Sequence, residues 1–131
     1  MLVVDTSALL AALVGGATAD AVAERLAHDP DFHAPHLVDV EFLHALRGLV
    51  RAGALGEDRA FDARSDLAEL AIVRYPHAPL SDRIWDLRHN LTAYDATFVA
   101  LAEVLDAPLV TCDAKLAAAP GSTATVELFP A

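Results

Sequence analysis

Residues 2–13 read LVVDTSALLAAL, and three changes of character follow one another there. Leu2, Val3 and Val4 are apolar without alternation, the pattern of a short strand buried on both faces in a parallel sheet. Asp5 then interrupts the run, Thr6 and Ser7 follow, and an apolar helical stretch begins. A strand that feeds a helix through an acid and two hydroxyls is the opening of a βαβ unit.

Outward from that junction the same alternation continues. A strand over residues 2–5 and a helix over 7–14, stopped by Gly15 and Gly16, are followed by a helix from Thr18 or Ala19 to His28. The stretch DFHAP at 31–35 holds a second short strand. Pro35 starts a long helix over 36–52, closed by Gly53. Residues 56–71 form another helix with Phe61, Leu67 and Leu70 turned inward. IVRYP at 72–76 is a third strand, cut by Pro76, and helices follow over 80–89 and 93–105. PLVT at 108–111 is a fourth strand, 113–118 a short helix, and ATVELF at 124–129 a last edge strand. The expected fold is a single α/β domain over residues 1–131, with helices on a short, mainly parallel sheet.

Ligands of such sheets bind beyond the carboxyl ends of the strands. Asp5 lies there after the first strand and Asp113 just past the fourth. Asp95 opens the helix leading into the fourth strand, and Glu41 borders the apolar stripe of the long helix. Each acid has a structural reading. Asp5 and Asp113 can cap helices, TAYD at 92–95 resembles a capping box, and Glu41 can sit on a solvated edge. Together the four can meet at one edge, where mutual repulsion requires a cation or an inserted basic side chain. Oxygen-only donors suit Mg²⁺ or Mn²⁺.

Composition narrows the alternatives. The chain has 131 residues, 55% hydrophobic, with 19 acids against 9 basic residues and a net charge of −10. Bulk charge therefore does not draw it to nucleic acid, and a bound cation would have to screen the carboxylates locally. The apolar share points to a core plus a surface covered by another chain. Cys112, the only cysteine, reads as a small buried apolar residue. Most of the six histidines read as surface residues. No apolar run is long enough to span a bilayer and no signal peptide is evident, so the expected location is the cytoplasm. Ser7 lacks the surroundings of a hydrolase nucleophile, and no phosphate-binding glycine loop or zinc-ligand set is present.

VVDTSALL at 3–10, Glu41 in its helix, LTAYDATFVALAE at 91–103 and LVTCDAKLAAA at 109–119 together resemble the PIN domain, in the subgroup of VapBC-type toxin ribonucleases. The resemblance runs over nearly the whole chain. It implies a three-layer α/β/α fold and metal-dependent RNA cleavage with Mg²⁺ or Mn²⁺. Asp5, Glu41, Asp95 and Asp113 match its acidic set, and Thr6 and Thr111 match its supporting hydroxyls. Asp5 and Asp95 would be the chief metal ligands, with Glu41 and Asp113 completing the cluster or orienting water. Thr6 or Ser7 would cap the first helix. Arg47, Arg51 and Arg88 are candidates to hold substrate phosphates, though a solvated helix face accounts equally for the first two. The implied partners are RNA, a small antitoxin with a basic C-terminal tail, and a second copy of the chain. Two rival readings are an acidic groove that only binds a basic peptide, and a receiver-like phosphotransfer domain built on Asp5.

Overall fold

The computed structural model describes residues 1–130. Five strands, β1 (Leu2–Val4), β2 (Phe32–Pro35), β3 (Ile72–Tyr75), β4 (Leu109–Thr111) and β5 (Val126–Leu128), form one sheet in the order β3-β2-β1-β4-β5. Every neighbouring pair is parallel, with Val3 opposite both His33 and Leu109. The helices are α1 (Thr6–Val14), α2 (Ala19–His28), α3 (Leu37–Arg51), α4 (Glu57–Glu69), α5 (Ser81–Asp86), α6 (Ala93–Leu105) and α7 (Ala114–Ala117). α1 packs on α2, α3 and α4, whereas α6 packs on β1, β2 and β4 and carries α5. The sheet lies between helical layers, giving a three-layer α/β/α sandwich.

Strand order fixes where a ligand can enter. From β1 the chain moves to β2 on one side, and from β4 it moves to β5 on the other. β1 and β4 are neighbours, so their connections diverge and leave a crevice at their carboxyl ends. Asp5 follows β1 directly, and Asp113 follows β4 after Cys112.

The core takes up much of the apolar fraction. Leu2, Val3 and Val4 are fully buried, as are Leu109 and Val110 beside them. On α6, seven consecutive residues from Ala96 to Ala102 are buried, so the middle of this helix is enclosed on every side. It ends at Asp106, whose left-handed φ of 49° is a conformation that aspartate tolerates. α3 ends before Gly53, whose φ of 73° supplies the left-handed residue that follows a helix. Among the described residues, no single helix is long and apolar enough to cross a membrane.

Two expectations change. Phe61 does not face the core: it is 65% exposed, and Ala60, Ala63 and Leu67 form the inward stripe of α4 instead. One residue turns a helix by about 100°, which carries the phenylalanine off the i, i+3, i+7 face. The helix expected over 80–89 divides into a 3₁₀ turn, Ala78–Leu80, and the short α5. The chain then turns so that Leu87 and Leu91 both reach the core. Most of the histidines are on the surface as expected, and His33 is the exception. It is buried on β2, with one ring nitrogen 2.7 Å from the Tyr75 hydroxyl and the other 2.9 Å from Asp31.

A polar clamp joins α5, α6 and the approach to β5. Arg83 donates from Nε to Glu103 Oε1 at 2.7 Å and from Nη2 to Oε2 at 2.9 Å. Glu103 Oε2 also accepts from the Thr123 N–H and hydroxyl, and Arg83 Nη2 reaches the Gly121 carbonyl. The guanidinium beside Glu103 is the main cause that lowers its carboxyl pKa to about 2. This contribution is present above the ordinary glutamate pKa and is lost as pH falls toward 2. Glu103→Gln should destabilise the fold by about 1–3 kcal/mol, because the neutral amide leaves donors of Arg83 and Thr123 poorly paired. Urea unfolding at pH 7 measures this, and an unchanged midpoint would leave the clamp without energetic weight.

Candidate active site

A cavity of about 610 Å³ opens at the β1–β4 crevice, and Asp5, Glu41, Asp95 and Asp113 all line it. Each reaches it from a different element. Asp5 is the N-cap of α1, with extended backbone angles of −91° and 171°. Glu41 comes from α3, Asp95 from the first turn of α6, and Asp113 is the N-cap of α7.

Asp5 is held most tightly. Its Oδ1 accepts from the Ala8 N–H at 2.9 Å and the Ser7 hydroxyl at 2.7 Å. Its Oδ2 accepts from the Thr111 hydroxyl at 2.6 Å. Thr111 Oγ1 in turn accepts from the Asp113 N–H, and Ser7 Oγ accepts from the Cys112 N–H. Two hydroxyls thus tie the start of α1 to the end of β4. Thr6 or Ser7 was expected to cap α1, but Asp5 does so itself. The hydroxyls lie beyond the cap position and serve long-range partners: Thr6 Oγ1 donates to Glu41 Oε1 at 2.8 Å.

Asp5 is only 5% exposed, and burial raises its pKa to about 6 against the opposing effect of its three hydrogen bonds. Asp113 adds a smaller upward push. Burial also raises the pKa of Glu41, with Asp95 contributing, and that of Asp95, with Asp113 contributing. The causes link the acids in one electrostatic group: Asp5 and Asp95 both feel Asp113, and Glu41 feels Asp95. Asp95 N–H donates to the Thr92 hydroxyl, but the reciprocal half of a capping box is absent among the described hydrogen bonds. The Asp95 carboxylate borders the cavity, where Lys115 and the Thr92 hydroxyl offset part of the upward push on its pKa.

The donors do not form a closed cage: among the described residues, no three His, Cys, Asp or Glu side chains converge as a ready metal cluster. The chemistry of the donor set nevertheless fits a hard cation. All four acidic donors are oxygen ligands, and burial disfavours the charged state of three. After three accepted hydrogen bonds, Asp5 retains one lone-pair direction, on Oδ2.

The other expected site residues fall differently. Thr6 and Ser7 line the cavity, while Thr111 lies buried behind Asp5. Arg47, Arg51 and Arg88 do not line it. Arg88 lies over the Trp85 ring at 4.4 Å and donates to the Trp85 carbonyl, so its guanidinium is engaged away from the acids. Sequence reasoning passed over His44 and Tyr94, which do line the cavity beside Glu41 and Asp95. The signal for His44 was its i+3 spacing from Glu41, and for Tyr94 its place next to Asp95. An apolar wall of Leu10, Leu37, Val40, Ala45 and Phe98 completes the lining.

The family model described as the PIN domain matches residues 2–121. Ribonuclease VapC1 of Mycobacterium tuberculosis (strain ATCC 25618 / H37Rv) is 45% identical over 127 residues, covering 96% of each chain. Ribonuclease VapC9 of the same strain is 46% identical over 116 residues, covering 88% of each. In fold the chain is similar to PAE2754 from Pyrobaculum aerophilum, with a TM-score of 0.73 and 24% identity, covering 95% of this chain and 81% of that one.

Proposed function

Since the chain belongs to the PIN-domain family and is a VapC-like ribonuclease toxin, we propose that it cleaves RNA internally with Mg²⁺ or Mn²⁺ as the toxin of a toxin–antitoxin pair. One observation carries the site assignment: four carboxylates from four elements border a single cavity at the divergence of β1 and β4. Asp5 and Asp95 would hold the ion, with Glu41 and Asp113 completing its surroundings. When bound, such an ion supplies a Lewis acid for the phosphodiester and lowers the pKa of water.

The residues of the chain do the positioning. Ser7, Thr111 and the Ala8 N–H fix both oxygens of Asp5. Thr6 fixes Oε1 of Glu41 and leaves Oε2 without a partner among the described hydrogen bonds, free to orient a water and accept its proton. In the hydrolysis, the water oxygen bonds to phosphorus while one phosphorus–oxygen ester bond breaks, and the leaving oxygen takes a proton from solvent. The decisive experiment incubates purified protein and RNA with Mn²⁺ or chelator. Metal-dependent cleavage supports the reading. RNA left intact by well-folded protein favours a groove that only binds, and acetyl-phosphate labelling of Asp5 would favour a phosphotransfer domain.

The proposed antitoxin brings an apolar helix to α3 and α4 and a basic tail to the acidic cavity. Leu43 on α3 and Phe61 on α4 are exposed large apolar side chains. Leu43→Asp and Phe61→Asp should each weaken the complex by about five- to thirtyfold, the range of an interface anchor, while cleavage of RNA persists. Titration calorimetry with the neighbouring gene product measures this. Unchanged affinity in both variants would move the interface elsewhere. A homodimer in the cytoplasm completes the proposal, and sedimentation reports the oligomer directly.

A further inference from the structure

The lining of the cavity is more apolar than phosphodiester chemistry requires. Phosphate and ribose are polar, yet Leu37, Val40 and Phe98 form a wall beside the four acids. Tyr94 stands at the rim, 62% exposed, and its hydroxyl has no partner among the described hydrogen bonds. No Arg or Lys lines the cavity, Lys115 beside it is taken up by Asp113 at 3.7 Å, and the protein carries a net charge of −10. Phosphate attraction, the usual source of affinity for nucleic acid, is therefore weak here, and binding must draw on other surface. The part of a nucleotide with a matching apolar face is its base. Base–aromatic stacking supplies substantial affinity without needing positive charge.

On the ribonuclease reading above, we infer that Tyr94 is a specificity-determining residue that stacks on an unpaired base next to the scissile phosphate, with Leu37, Val40 and Phe98 enclosing the base edge. Tyr94 and Asp95 both border the cavity from the first turn of α6, so a base resting on the ring keeps the attached phosphate within reach of the carboxylates. Tyr94 is a binding residue rather than a proton donor, and the ring, not the hydroxyl, carries its effect.

The test uses the full chain with Mn²⁺ and single-stranded RNA oligonucleotides carrying 2-aminopurine at successive positions around the cut. Stopped-flow fluorescence records the complex before turnover, and cleavage assays separate KM from kcat. Tyr94→Ala should raise KM by about five- to a hundredfold with little change in kcat, the range of one base–aromatic stack. It should also abolish the fluorescence quench at one position beside the cut. Tyr94→Phe keeps the ring and should recover most of both signals. Equal KM and equal quench in wild type and Tyr94→Ala would overturn the inference. A loss shared by the Phe variant would also overturn it, as would an altered oligomer with RNA binding unmoved, which would assign the ring to a protein contact. RNA cleavage without a Tyr94-dependent quench would remove the base site and leave the ribonuclease reading intact. A Tyr94-dependent quench without cleavage would do the reverse.

Discussion

Asp95→Asn should lower RNA cleavage by about a hundredfold to a thousandfold and abolish growth arrest on expression, while the fold stays as stable as before. The site separates function from structure at this residue. The N–H of Asp95 takes part in the cap through Thr92, and asparagine retains that N–H. The carboxylate is half-buried, and burial and Asp113 raise its pKa against smaller opposing effects of Lys115 and the Thr92 hydroxyl. Replacing it removes charge from the cavity and little else. Asp5→Asn should lose activity equally, but Asp5 caps α1 and accepts from three donors, so that variant alone could not distinguish a missing ligand from a disturbed site. Agreement between the two variants assigns the loss to the cluster. The measurement is the cleavage rate of purified proteins with matched circular dichroism, beside colony growth under induction. Full toxicity from folded Asp95→Asn would remove the residue from the mechanism and, with it, the shared-cavity assignment.

Much of the fold was legible because its signals are local. Uninterrupted apolar runs at 2–4 and 109–110 marked strands buried on both faces, and Gly53 marked the end of α3. Phe61 was misplaced because hydrophobicity outweighed phase: small alanines occupy the buried stripe of α4, and the larger side chain faces outward. At the site, the positions of the acids could be anticipated from the strand ends, but the division of labour among the hydroxyls could not. Thr6 and Ser7 read as caps in sequence, and Thr111 as a supporting hydroxyl. Their partners reach across the fold: Thr6 donates to Glu41, Thr111 donates to Asp5, and Ser7 accepts from the Cys112 N–H while donating to nearby Asp5. The apolar wall and Tyr94 were hidden for the same reason, since α1, α3 and α6 contribute one or a few residues each and no segment shows the wall as a pattern.

Asp5 also makes the stability of the metal-free protein depend on pH in a direction that identifies it. Its folded pKa is raised from 3.8 to about 6, so the folded state binds the proton more tightly than the unfolded chain. The stabilisation is fully present below pH 3.8 and is lost as pH rises through 6. Between pH 5 and pH 7.5 this group alone should cost the apo protein about 1 kcal/mol, or roughly 3–6 °C in melting temperature. The raised values of Glu41 and Asp95 act in the same direction. Asparagine at position 5 keeps an oxygen for the Ala8 N–H and the Ser7 hydroxyl. Its amide would face Thr111, whose hydroxyl can rotate and accept. Asp5→Asn should therefore lose much of the pH slope and, with chelator at pH 7.5, melt at or above wild type. Metal should reverse the order. An ion bound only by the folded state stabilises it by about 2.7 kcal/mol at a hundred times its dissociation constant, so wild type should gain several degrees with Mn²⁺ and the variant far less. Melting curves at both pH values, with chelator and with Mn²⁺, separate the roles. If Asp5 were only a cap, the two proteins would respond to metal alike, because Ala8 and Ser7 would find the same acceptor in either. Matching Mn²⁺ shifts would therefore leave the carboxylate with a structural duty alone, and metal-dependent cleavage would have to be built on the remaining three acids.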